Sequence, residues 1–484
     1  MNVRSFIRQG SELVPVEVEI NLLPGLPQIS FLGLPDAALK ESSLRIRSAL
    51  REQGFHLPQA QQIVVHLKPT HLRKSSRGLD LAVAAAILWE TEQIEIPEWL
   101  RENPYFYGEL SLKGEVVVPD DLPDVELKED DVIVTGAFET DFPMRFRRLV
   151  LRELKELFAP EVRQGRTEPP KFQRPVLEVD DFPASAARLI TMVAAGEHAT
   201  LIAGAPGSGK STVADAISSF LDEPDIVTFQ TSQRIARAFG RQLTWRPLVR
   251  PHHSITPTAM IGGGINPWPG EISRAHGGVL VMDELLEFHP DIQEALREPI
   301  ETGIISIARG GHVRNFPARF LLLATTNLCP CGEFTPTKNQ GRCRCSRTAR
   351  ARALQRLTGP FVDRFAIFAL TDDWNTKDKP GTRVHRDQIR DDVNRAIFFR
   401  QTKRAQNEPN SRLTEAALEK WLGDFQMRFG LPEVLRSRRR RVAILRVART
   451  AADLRESEKI SNHDLDEAAA LCLRTHSLLQ SWRD

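Results

Sequence analysis

A chain of 484 residues with 41% hydrophobic and 26% charged residues has the make-up of a soluble globular protein of two or three domains. Lys and Arg number 65 against 63 Asp and Glu, so a net charge of +2 leaves any case for nucleic acid to local clusters. Met1–Gly10 has Arg4 and Arg8 but no apolar secretory core, and the apolar run Leu81–Trp89 is too short to span a bilayer, so cytoplasmic residence without a membrane partner is expected.

Along residues 1–160 the pattern is α+β. Val14, Val16, Val18 and Ile20 alternate with Pro15, Glu17 and Glu19, which predicts a half-buried strand. A second strand is expected at Ile29–Leu32, and Asp36 is positioned to cap a helix whose apolar positions are Ala38, Leu39, Ile46, Ala49 and Leu50. Ile63–Leu67 returns as a strand, and Asp80–Trp89 reads as a buried helix. Short strands follow at Tyr107–Leu110, Glu115–Val118 and Val132–Thr135. The polar run Lys68–Arg77 contains Ser75 and Ser76, but no buried lysine beside an exposed serine is evident, so a solvated loop or a partner contact is favoured over proteolysis. Arg147–Leu157 mixes basic and apolar residues like the end of an amphipathic helix, and the proline-rich stretch after it, through residues 161–175, reads as a linker.

Residues 176–370 carry the chemistry. Gly204–Ser211 reads GAPGSGKS and satisfies GxxxxGK[ST] at every fixed position. Gly204, Gly207 and Gly209 allow a tight turn whose N–H groups cradle phosphate oxygens at the start of a helix. Lys210 would reach the β- and γ-phosphates of ATP, and Ser211 would hold Mg²⁺. The apolar run Gly278–Met282 ends in Asp283 and Glu284, about 70 residues downstream. Asp283 suits the Mg²⁺ shell, and Glu284 suits activation of the attacking water. Between the two motifs a strand is expected at Ile226–Phe229 and a short helix at Gln233–Phe239. RPLVRPHHS supplies His252 and His253, which are either ordinary polar residues or contacts to phosphate or a neighbouring subunit.

Beyond Glu284, a hairpin is expected from Gly303, with Arg309, His312 and Arg314 about its turn. Its tip is either simply exposed or enters a central channel and touches a nucleic-acid backbone. Phe320–Thr326 is a further buried strand ending at Asn327, which either bonds the attacking water or γ-phosphate or caps the strand. Arg364 is a candidate arginine finger acting across a subunit boundary, or else one half of a structural pair with Asp363. Cys329, Cys331, Cys343 and Cys345 form two CxC pairs with an 11-residue gap. They suit a structural Zn²⁺, with reduced thiols or disulfides as the alternatives. Residues 385–484 read as an all-helical lid whose basic helix, Leu435–Asp453, contains Arg438–Arg441; one of these arginines is placed for the γ-phosphate, and the others are solvated or bind polyanion.

Taken together, FLGLPDAALKESSLRIRSAL, GAPGSGKS, RPHHS, IGGGINPWPGEISRAHGGVLVMDEL, PARFLLLATTNLCPCGEF, GPFVDRF and SRRRRVAILRVARTAADL resemble the AAA+ Mg-chelatase-like family over nearly the whole chain. The resemblance implies an α/β P-loop core, an N-terminal domain similar to the C-terminal domain of Lon proteases but without protease activity, and a C-terminal helical lid. It also implies a homo-hexameric ATPase, with competence-associated members acting as DNA helicases in branch migration during transformation. DNA and recombination proteins are the implied partners. By position, Gly204–Ser211 is Walker A, Asp283-Glu284 Walker B, Asn327 sensor 1, Arg364 the finger and Arg439 sensor 2; the four cysteines match the family's paired pattern. Leu286 stands where the family usually has proline, and Phe365-Ala366-Ile367 departs from its usual Ile-Asp. A chelatase-type motor subunit and a protein-remodelling ATPase are the competing functions.

Overall fold

The alternation at Val16, Val18 and Ile20 is realised in the strand Glu12–Pro24, which pairs antiparallel with Asn2–Gln9 on one side and Gln61–Lys68 on the other. In this computed structural model the described residues are 2–9, 12–32, 37–69, 77–119, 122, 125, 127–128, 130–137, 146–163, 171–264, 267–309, 312–334, 343–355, 361–375, 383–422 and 437–473. Two units result, one of Met1–Lys171 with Arg234–Arg241 and one of Phe172–Gln233 with Gln242–Asp484.

The first unit holds an eight-stranded mixed sheet in the order Glu161–Arg163, Arg147–Leu151, Val132–Gly136, Tyr105–Phe106, Asn2–Gln9, Glu12–Pro24, Gln61–Lys68, Ile29–Phe31. Helices Ala37–Glu52 and Asp80–Glu90 share its apolar core. Asp80 is wholly buried there and is answered on both oxygens: Ser42 Oγ donates to Oδ1, while Arg45 Nε at 2.8 Å and the Leu110 N–H at 3.2 Å donate to Oδ2. Two expectations are corrected. Arg147–Leu151 is a strand, not the end of a helix, with Leu149, Val150 and Leu151 all buried in succession, the mark of a strand covered on both faces. Glu161–Arg163, expected in a linker, pairs antiparallel with this strand as the sheet's edge. Asp36, Ser75 and Ser76 lie outside the described residues.

The second unit is built on a five-stranded parallel sheet: β1 (Thr200–Ala203), β2 (Leu248–Val249), β3 (Val279–Met282), β4 (Leu321–Thr326) and β5 (Ile367–Leu370), in the order β2-β3-β4-β1-β5. All its pairings are parallel, so every strand starts at one edge and ends at the other. The two-residue period splits these apolar strands between two cores. Ile202, Val281, Leu323 and Ile367 join the helices Ala184–Gly196, Arg386–Thr402, Arg438–Leu454 and Asn462–Cys472. Leu201, Leu280, Leu322 and Phe368 face a core shared with the hairpin Ile304–Arg309/His312–Pro317.

A third correction falls here. Ile226–Phe229, expected as a strand, opens the helix Ile226–Ala238. Asp225 Oδ1 accepts the N–H groups of Val227 at 3.0 Å and Thr228 at 3.3 Å, so a side-chain cap overrides the β-branched run. Among the described residues no helix is long and apolar enough to cross a membrane.

Candidate active site

The P-loop leaves β1 at its C-terminal end, and Gly209 at φ +89° caps the helix Lys210–Phe220. At Gly207 and Gly209, both at positive φ, a Cβ would meet no atom within 4 Å, so the left-handed backbone of the turn and not close packing calls for glycine at these two positions. Gly204 serves differently: a Cβ there would lie 1.8 Å from Thr371 Oγ1, so it permits close packing. Ser208 Oγ is buried in the loop with no partner among the described residues. Lys210 Nζ folds back on the loop, donating to the carbonyls of Gly204 at 2.9 Å and Ala205 at 2.8 Å and to Asn327 Oδ1 at 3.1 Å. Burial lowers the Lys210 pKa, against the pull of Glu284 and Asp283, so both carboxylates act on the same ammonium.

Asp283 and Glu284 leave β3 at the same edge. Thr325, near the end of β4, binds both: its Oγ1 donates to Asp283 Oδ1 at 3.1 Å and accepts the Glu284 N–H at 3.1 Å. Glu284 is held in the left-handed region, φ 57° and ψ 52°, with its side chain exposed. Sequence reasoning passed over Thr325, though its place one strand over from the Asp-Glu pair was the available signal. His253 Nδ1 lies 3.8 Å from Glu284 Oε2 and stacks on His252, with ring centroids 4.1 Å apart. Arg250, from the same motif, pairs with Asp215 on the P-loop helix. The RPHHS segment therefore adjoins the acidic pair. Leu286, in place of the family's proline, is buried beside Leu285 and Phe288.

Arg364 and Arg439 are elsewhere. Both line a cavity of about 550 Å³ with Ala199, Phe320 and Ala366. Those three residues immediately precede β1, β4 and β5, so the cavity lies at the N-terminal edge of the sheet. The P-loop, Asp283 and Asn327 follow strands at the C-terminal edge, with at least about 10 Å of strand between. Arg364 Nη2 donates to Glu301 Oε1 at 2.8 Å, and Arg439 Nη2 binds the same oxygen. The remaining arginines of the basic run are engaged by other carboxylates: Arg438 and Arg441 by Glu415, and Arg440 by Asp363 at 2.7 Å. This run docks the helix through its own chain. In the hairpin, Val313 is 67% exposed beside the turn.

The four cysteine sulfurs lie within 4.8 Å of one another. Cys329–Cys331, Cys331–Cys343 and Cys343–Cys329 are 3.3, 3.6 and 3.7 Å apart. A tetrahedron with Zn–S bonds of about 2.3 Å has S···S edges of about 3.8 Å, so the donor set fits Zn²⁺. None of the four is in a disulfide.

Comparison with known proteins gives matches across the chain. Residues 180–378 match the family described as magnesium chelatase, subunit ChlI, and residues 18–123 match subunit ChlI of Mg-chelatase. The chain is 32% identical to the competence protein ComM of Haemophilus influenzae, covering 96% of each. It is 30% identical to the uncharacterized protein YifB of Salmonella typhimurium and 32% identical to that of Escherichia coli K12, covering 95% of this chain and 94% of the relative in both cases.

Proposed function

As the chain belongs to the AAA+ Mg-chelatase-like family and is homologous to ComM and YifB, we propose that it is an ATP-hydrolysing, ring-forming DNA motor, active as a helicase or in branch migration. The observation that carries this reading is the division of charged groups between two edges of one parallel sheet. Lys210, Asp283, Glu284 and Asn327 gather at one edge, and Arg364 and Arg439 at the other. A nucleotide on the P-loop then lacks Arg364 and Arg439 of its own chain and receives them from the next subunit, as in a hexamer. Within one site, Lys210 binds the β- and γ-phosphates, Asn327 orients the attacking water, and Glu284 takes its proton. Ser211 and Asp283 would hold Mg²⁺, which neutralises phosphate charge when bound. Arg364 and Arg439 of the adjoining copy would stabilise charge on the transferring phosphoryl group. Cys329, Cys331, Cys343 and Cys345 would hold a structural Zn²⁺, with all four positions filled by sulfur and none left for a substrate.

DNA enters through the similarity to ComM and through the exposed hairpin, which would face a ring's channel. The first unit would be a non-proteolytic, Lon-like platform for DNA or protein. The chelatase descriptions of the matching families favour a second reading, a motor subunit for metal insertion into a porphyrin. ATPase activity measured with single-stranded, forked and Holliday-junction DNA separates them. Stimulation in the wild type, and none in Glu284→Gln, is expected. A rate indifferent to all three DNAs removes the DNA-motor reading.

A further inference from the structure

The cysteine cluster touches the nucleotide site. Cys329 follows Asn327 by two positions, and Leu328 and Cys329 are both buried in the core behind β4. The chain then turns, with the Gly332 N–H donating to the Cys329 carbonyl at 3.0 Å and the Phe334 N–H donating to Cys329 Sγ at 3.3 Å. Gly332 sits at φ +78°, and a Cβ on it would come within 2.8 Å of Pro206 Cγ and Cδ and 3.9 Å of Asn327 Cγ. The cysteine turn therefore lies directly on the P-loop, at Pro206, and beside the residue that accepts from Lys210.

From this we infer that a thiophilic divalent ion, Zn²⁺ by the sulfur geometry, makes the cysteine turn a structural wall of the nucleotide pocket. Bound to thiolates from both CxC pairs, the ion ties the turn at Cys329–Gly332 to the segment before the helix Arg347–Gln355. The turn then holds Pro206 and Asn327 in the arrangement that receives phosphate. Its action is by packing, since four sulfur ligands leave no position for a substrate. Without the ion, nothing ties the two CxC pairs together and the turn no longer presses on Pro206, so the binding-competent loop becomes a minor state and nucleotide affinity falls. This inference rests on the reading of Gly204–Ser211 as an ATP site, and the experiment separates the two.

The full chain, purified without oxygen, is assayed for metal by mass spectrometry and for fluorescent-ADP affinity in the presence of Mg²⁺. One Zn²⁺ per chain is expected, and Co²⁺ replacement should give the visible bands of a tetrahedral tetrathiolate site. Removing Zn²⁺ should weaken ADP binding about tenfold, as when one-tenth of the loops remain competent, and restoring Zn²⁺ should reverse it. Gly332→Ala keeps all four thiols but places a methyl against Pro206, so it should keep its metal and still bind ADP more weakly. ADP affinity unchanged both by metal removal and by Gly332→Ala overturns the inference while leaving the ATP site intact. Absence of metal from the native protein, with no uptake of Zn²⁺ or Co²⁺, also overturns it. A metal-loaded wild type that binds no more ADP than Lys210→Ala overturns the ATP reading itself.

Discussion

Arg364 donates to Oε1 of Glu301 at 2.8 Å, and Arg439 binds the same oxygen from the helix Arg438–Leu454. One carboxylate thus gathers two guanidinium groups at the sheet edge away from the P-loop, holding in one chain the cations that a neighbour's phosphate would use. Arg364→Ala is expected to lower turnover by about a thousandfold, the lower end for a finger arginine, while leaving ADP affinity unchanged. Mixing it with Lys210→Ala should restore activity. In a randomly mixed ring, roughly a quarter of the interfaces would pair an intact P-loop with an intact arginine edge. Steady-state ATPase of the mixture against each variant alone is the measurement, and a mixture as inactive as its parts rules out arginines supplied by the neighbour.

Thr325 gives a second test. Its hydroxyl binds Asp283 and the Glu284 main chain at once, and so fixes the two carboxylates relative to each other. Thr325→Val should reduce kcat about 10- to 100-fold with a smaller change in KM, since the hydroxyl acts through groups it positions. Thr325→Ser should recover most of the loss. If Val and Ser variants turn over alike, the hydroxyl has no such role.

Stability should depend on pH through His198. This residue is fully buried just ahead of β1, with Nε2 2.8 Å from Thr450 Oγ1 in the helix Arg438–Leu454. Burial, aided by Arg446 and opposed by Glu197, lowers its pKa from 6.5 to about 3. Between those values the unfolded chain takes up a proton that the folded chain refuses. The contribution is therefore complete above pH 6.5 and is lost as pH falls toward 3, with a slope of up to about 1.4 kcal/mol per pH unit. Urea denaturation from pH 7 to pH 5 should show this slope, and His198→Gln should flatten it. An equal slope in the variant assigns the effect to other groups.

Much of this was legible in the sequence, for identifiable reasons. Buried strands show as continuous apolar runs, Val279–Met282 and Leu321–Ala324, and each run gives way to polar residues where the chain enters the site. The P-loop is legible because its chemistry fixes residue types at fixed spacing. Ile226–Phe229 misled because local β-propensity is weaker than a capped helix start and the burial of Phe229. Arg147–Leu151 misled because basic and apolar residues are interspersed from Arg147 to Leu157, a pattern that fits more than one period. The meeting of Arg364 and Arg439 at Glu301, and of Gly332 with Pro206, joins residues distant in the chain that no local pattern relates.

The parallel sheet also sets a counting rule for assembly. Each subunit would offer one half-site at each end of its strands, so an open row of copies always leaves one P-loop and one arginine pair unmatched. A dimer then has a single complete site, and only closure makes the number of sites equal the number of subunits. Activity per chain should accordingly climb with protein concentration and level off once the rings have closed, making the hydrolysis rate itself a gauge of closure.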